Sequence, residues 1–175
     1  SSEYYTIAQY TNLTSNNIYA ESIFKYLGYK KYGVGTFDNG SRAIMDYLRE
    51  KNIAIGGVRV VDGCGLSRSN TVTTDFLCRY LTMLSREPFY DDFLRSLAKV
   101  GESGTAKNLI PNLPTGITVH VKTGTMEGVK AYAGYVITSR GETLAFSIIS
   151  NGHNCSSQEV ATKLNKILYK IATLY

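Results

Sequence analysis

Histidine and cysteine are both scarce in this 175-residue chain, and their scarcity narrows the chemistry open to it. The two histidines, His120 and His153, form no His-x-x-x-His or His-Glu pair, so a zinc hydrolase signature is missing and a Ser-His-Asp hydrolase lacks an evident base. Cys64, Cys78 and Cys155 are odd in number, widely spaced and without a Cys-x-x-Cys, which argues against a zinc module or a disulfide framework. Long apolar runs are missing too: stretches such as Thr143 to Ile149 fall well short of the roughly 20 residues that span a bilayer. The chain begins at Ser1, and any targeting segment is expected to have been removed or never included. What is present is an ordinary globular composition, 43% hydrophobic and 19% charged, enough for a real core. The formal charge of +5 suits anionic partners, nucleic acid or an acidic cell-wall polymer among them. No recognition pattern supports nucleic acid, so that partner is not expected.

Helices are expected over Glu3 to Leu13, from Ile18 to a stop at Gly28, over about Ser41 to Lys51, over Asp75 to Leu84 behind a Thr73 or Thr74 cap, and over Phe89 to Lys99. The run Val58 to Val61 reads as a short strand entering the turn-rich Asp62 to Gly65. Beyond it the period changes. Ile117 to Thr125, Ala131 to Thr138 and Thr143 to Ser150 are strand-like runs joined at Glu127-Gly128 and Arg140-Gly141, the pattern of an antiparallel meander. A last helix, Ser156 to about Thr173, carries Val160, Leu164, Ile167, Leu168 and Ile171 as a stripe to cover one sheet face. The class is α+β.

Two segments carry candidate chemistry. In Lys122-Thr123-Gly124-Thr125, strand alternation sets Val119 and Val121 on one face and His120 and Lys122 on the other. An ammonium beside a hydroxyl, next to a glycine that lets a ligand approach the backbone, suits a substrate carboxylate and a developing oxyanion. Ser15-Asn16-Asn17 sits at a helix start, where a hydroxyl and an amide could pass a proton and orient a substrate amide. Each also has a plain structural reading, an exposed lysine before a turn and a helix cap.

Their order and context resemble a known family. Ser15 to Glu21, Asp62 to Asn70, Gly101 to Thr105, and Lys122 to Thr125 followed by Ala133-Gly134-Tyr135 look like the class C penicillin-binding proteins, the D-alanyl-D-alanine carboxypeptidase/endopeptidase group. The resemblance implies a β-lactamase/transpeptidase-like fold and a serine-type peptidase that cuts peptidoglycan stem peptides through an acyl-enzyme, in the periplasm or cell envelope, with no cofactor. Peptidoglycan peptide and β-lactam antibiotics are the partners it implies. It also implies roles: Ser15 as proton relay, Asn17 facing the substrate backbone, Lys122 and Thr123 on the substrate carboxylate, Gly124 beside them, and the Thr125 N–H as an oxyanion donor. A non-catalytic peptidoglycan-binding module on the same fold and a serine β-lactamase are the alternatives.

One element of the family pattern is not in place. The Ser-x-x-Lys nucleophile motif should precede Ser15 by a long stretch, and only fourteen residues do. Ser96-Leu97-Ala98-Lys99 fits the spelling but lies between later motifs, and reads as helix surface. The chain is therefore expected to be the C-terminal part of a catalytic domain, inactive alone, with an open sheet edge that is a candidate for homo-oligomer formation. Cys64 stands where the family pattern has serine, which makes its thiol a target for modification tests.

Overall fold

A computed structural model describes residues 2–174, the backbone alone at Ser2. The chain divides into two compact units, 1–14 with 77–175 and 15–76.

The first unit is built on a four-stranded antiparallel sheet in the order β1 (Ala98–Lys99), β2 (Thr118–Met126), β3 (Val129–Ile137) and β4 (Thr143–Asn151). The expected meander is there, since alternating β-branched residues joined by tight glycine turns fix both period and register, with Lys122 opposite Ala133 and Thr125 opposite Lys130. One face presents Val119, Val121, Val136 and Phe146 to α6 (Ser157–Thr173), whose Val160, Leu164, Leu168 and Ala172 are buried against it. Each of the valine, leucine and phenylalanine side chains contributes about 1.5–3 kcal/mol of burial. Helix α6 starts where Ser156 and Glu159 cap each other reciprocally, the Ser156 Oγ accepting from the Glu159 N–H and the Glu159 carboxylate from the Ser156 N–H. Ile167, expected on the buried stripe, is 45% exposed. The buried line advances by fours to Ala172 and leaves Ile167 on its flank.

The opposite sheet face is covered by α4 (Thr74–Leu84) and α5 (Tyr90–Ser96), where Leu81 and Leu97 bury Tyr135. The Tyr135 hydroxyl donates to the Leu81 carbonyl at 2.7 Å. Helix α4 opens on Thr73, whose Oγ1 accepts from the Phe76 N–H. Helix α5 does not run to Lys99 as expected. Leu97 turns to an extended conformation, and Ala98–Lys99 pair with His120 and Val121 as β1. Ser96 ends the helix buried, its hydroxyl donating to the Phe93 carbonyl and accepting from Asn12 of α1 (Ser2–Thr14), while Lys99 pairs with Glu102 at 2.6 Å. The Ser-x-x-Lys spelling at this point thus has no helical turn to bring its two ends together.

In the second unit, α2 (Asn17–Tyr32) passes straight through the expected stop at Gly28 and ends at Gly33, which takes the left-handed conformation and donates its N–H to the Tyr29 carbonyl. Gly28 serves a different purpose. It meets Gly40 of α3 (Phe37–Glu50), and a Cβ at Gly28 would lie 2.7 Å from the Gly40 nitrogen. Helix α3 begins four residues earlier than Ser41 because the Thr36 hydroxyl caps it through the Asn39 N–H. The expected strand at Val58 to Val61 is reduced to one bridge, Arg59 to Thr71, since the Val61 N–H turns to the Asn70 side chain.

Candidate active site

The Lys122 to Thr125 segment occupies the second half of β2, where its edge is open. The Val100 N–H bonds the Val119 carbonyl across the β1 side, so alternation turns the main-chain groups of Val121, Thr123 and Thr125 to that same side. Strand β1 reaches only His120 and Val121, and among the described residues no strand pairs Lys122 to Met126 there. The Thr125 N–H therefore points along an open edge. At Gly124 a Cβ would meet nothing nearer than the Ala131 carbonyl oxygen at 4.0 Å, so packing within the chain does not require glycine. Its missing side chain clears the edge for a ligand lying against the strand.

Lys122 lies on the Tyr135 face, and its Nζ donates back to the Thr123 carbonyl at 2.9 Å. Burial pushes its ammonium below the ordinary lysine pKa. A carboxylate arriving at this half-buried cation would offset that desolvation and form a charge-assisted hydrogen bond in a medium of low dielectric. Thr123 lies on the other face, its Oγ–H donating to Thr105 Oγ at 3.0 Å. The Thr125 hydroxyl accepts from Lys130 Nζ at 3.0 Å, which also reaches the Ser157 hydroxyl at 3.3 Å.

His120 is two residues before Lys122 on the same face, and its buried Nδ1 has no hydrogen-bond partner among the described residues. Its pKa lies below the ordinary imidazole value, chiefly because of burial, with Lys99 adding to that and the Leu94 carbonyl opposing it. The folded chain therefore binds this proton less readily than the unfolded one. The stability contribution is complete above about pH 6.5 and is lost as the pH falls through the lower folded value. Urea midpoints at pH 7.5 and 5.0 should fall further for the wild type than for His120→Gln, whereas equal falls would remove His120 from the account.

The remaining two candidates belong to the second unit. Ser15 is exposed in the left-handed region at φ 53°, a conformation that costs a non-glycine residue about 1–2 kcal/mol. Asn16, one residue later, is the actual cap of α2, its Oδ1 accepting from the Tyr19 N–H at 3.0 Å. Asn17 is exposed as the first residue of α2.

The Asp62 to Asn70 loop is a clasp on that helix. Asp62 accepts from the Gly65 and Ser67 N–H groups and from the Asn70 amide, and Glu21 of α2 accepts from the N–H groups of Gly63 and Cys64. Gly63 fits because a Cβ there would sit 2.5 Å from the Ala20 carbonyl oxygen and from Phe24 Cβ. Burial and a hydrogen bond to Glu21 push the Cys64 thiol up in pKa, away from reactivity. Glu21, Asp62 and Cys64 each place a ligand-type atom within 4.8 Å of the others, but their carboxylates are engaged in holding the loop.

Two residues that bond the motif threonines, Lys130 and Thr105, are not singled out by sequence. Lys130 was readable by counting across the Glu127-Gly128 turn to Thr125. Thr105 closes the Gly101 to Thr105 motif, but its partner stands 18 positions away and no spacing rule connects them.

Comparison with known proteins bears directly on these segments. The family described as D-Ala-D-Ala carboxypeptidase 3 (S13) matches residues 1–173. A D-alanyl-D-alanine carboxypeptidase of Actinomadura sp. (strain R39) is 39% identical over 145 residues, which is 80% of this chain and 27% of that protein. The crystal structure of penicillin binding protein 4 from Haemophilus influenzae, complexed with a β-lactam, superposes with a TM-score of 0.82 at 25% identity, covering 95% of this chain and 40% of the other. A class A β-lactamase from Bacteroides cellulosilyticus shares the fold at a TM-score of 0.69 and 21% identity, over 97% of this chain and 64% of the other. The chain spans between 27% and 35% of the length of the curated relatives it matches.

Proposed function

Because the chain belongs to the D-Ala-D-Ala carboxypeptidase 3 (S13) family, we propose that it is the C-terminal portion of the catalytic domain of a serine-type D-alanyl-D-alanine carboxypeptidase/endopeptidase. The observation that carries this reading is the open, glycine-cleared edge of β2, with a half-buried ammonium at Lys122 and the Thr125 N–H turned outward. The substrate is a peptidoglycan stem peptide ending in D-Ala-D-Ala, and β-lactams enter the same site as acylating mimics. The cell envelope, with the periplasm as the finer placement, follows from where that substrate lies.

In this reading the serine that attacks, and the lysine that activates it, lie outside the present sequence. The residues here prepare the attack. Lys122 and Thr123 bind the terminal carboxylate, which positions the scissile carbonyl against the strand. The Thr125 N–H donates to the oxygen that becomes negative as the carbonyl is attacked, and loss of one such donor typically costs about 10²–10³ in rate. Asn17 aligns the substrate backbone, and the Ser15 hydroxyl passes a proton toward the leaving amine. Among the described residues β4 pairs on one side only, so its free edge is where a further strand would add, from a second copy or from residues outside this sequence.

Release of D-alanine from a D-Ala-D-Ala-ended peptide by the protein expressed from its full reading frame tests the reading. Release of the amino acid together with slow loss of bound penicillin supports a peptidase. Rapid penicillin turnover without D-alanine release would assign a β-lactamase instead.

A further inference from the structure

We infer that Thr105 is a positioning residue that sets the direction of the Thr123 hydroxyl for the substrate carboxylate, an inference that rests on the carboxylate reading of Lys122 and Thr123 above. The two hydroxyls are 3.0 Å apart, Thr123 donating, and this is the one hydrogen bond of the Thr105 side chain among the described residues. The segment that delivers Thr105 is anchored on both sides. Before it, the Ser103 hydroxyl accepts from the Lys99 N–H at 3.0 Å. Gly104 has a positive φ of 56°, and a Cβ there would lie 2.9 Å from the Leu13 carbonyl oxygen and 3.0 Å from Ala98 Cβ. After it, Ala106 is fully buried in the core beneath the sheet. The exposed Thr105 hydroxyl is thus held at a fixed place by neighbours that do not depend on it.

A threonine hydroxyl has one proton to donate and two lone pairs to accept with. In the free protein the two hydroxyls share one hydrogen bond. When a carboxylate arrives, Thr105 donates to the Thr123 oxygen, and Thr123 turns its own proton to the carboxylate. Each oxygen keeps its proton, and only the two rotors turn. The outcome is a Thr123 donor aimed at the ligand by a partner that bonds it in both states. Valine at 105 has nearly the same shape but neither capacity, and an exposed substitution of this kind changes stability little.

The test compares acylation of the full-length protein by a penicillin with its free carboxylate and by the methyl ester of the same penicillin. For Thr105→Val, the free acid should react about three- to tenfold more slowly, the range of one ordinary hydrogen bond, while the ester rate is unchanged. Thr105→Ser should restore the acid rate. Combining Thr105→Val with Thr123→Val should cost no more than Thr123→Val alone, since the first acts through the second. Wild-type acid rates in Thr105→Val, or equal slowing of acid and ester, would overturn the role of Thr105. A wild-type protein that reacts with neither probe would overturn the carboxylate reading itself, and the role of Thr105 with it.

Discussion

Replacing Lys122 with alanine is expected to slow penicillin acylation of the full-length protein by about 100-fold or more. Two losses combine. The substrate carboxylate gives up a charge-assisted hydrogen bond, worth about 1.5–3 kcal/mol, and with it the anchor that positions the scissile carbonyl against the strand. Both are large here because the ammonium is half-buried, with its pKa lowered by burial, in a setting where water screens poorly. Lys122→Arg should recover only part of the rate. The guanidinium keeps the charge, but its longer planar fork does not reproduce the compact ammonium that bonds the Thr123 carbonyl at 2.9 Å. Labelling rates measured across penicillin concentrations check this, with the melting temperature followed in parallel. A Lys122→Ala protein that is labelled within threefold of the wild-type rate would remove Lys122 from the site.

Truncating Tyr135 should give the largest loss of stability. Its side chain is fully buried between the sheet and α4, ring edge against Tyr90 at 5.2 Å between centroids, with its hydroxyl bonded to Leu81. Tyr135→Ala empties an aromatic-sized volume and should cost about 3–5 kcal/mol. Tyr135→Phe keeps the volume and removes one hydrogen bond from the Leu81 carbonyl, which still accepts from the Ser85 N–H, at a cost of about 0.5–1.5 kcal/mol. Urea unfolding with unchanged slope would read both. The pair separates packing from hydrogen bonding, and a Tyr135→Phe protein as unstable as Tyr135→Ala would contradict that division. His120 pairs with Tyr135 across β2 and β3, so the same substitution disturbs the face on which Lys122 lies.

The sheet and its covering helix were legible because their signals are local. Period-two alternation, two glycine turns and the Ser156-Glu159 cap each act within a few residues. What was misread depends on contacts distant in sequence. Gly28 has the composition of a stop, yet it is glycine because Gly40 of another helix approaches it, and the backbone hydrogen bonds continue to Gly33. Strand β1 is two residues long and exists because β2 offers it an edge; nothing in Ala98-Lys99 predicts it. The site divided in the same way. Lys122, Thr123, Gly124 and Thr125 are consecutive on one strand, so alternation and motif order pointed to them together. Ser15-Asn16-Asn17 reads from sequence both as a cap and as a polar pair at a helix start, and the cap is Asn16. Thr105 reaches Thr123 through a turn whose geometry depends on Gly104 meeting Leu13, a contact between residues 91 positions apart.

On the proposed reading, this chain supplies the carboxylate-binding, oxyanion and proton-relay groups of a serine peptidase whose nucleophile lies outside the present sequence. Intact mass spectrometry after incubation with penicillin, on the full-length protein and on residues 1–175 in parallel, tests it most directly. The account predicts one covalent penicilloyl adduct on the full-length protein, located by peptide mapping to a Ser-x-x-Lys serine, and none on the 175-residue chain. An adduct on the 175-residue chain, or a folded full-length protein that acquires none, would contradict it.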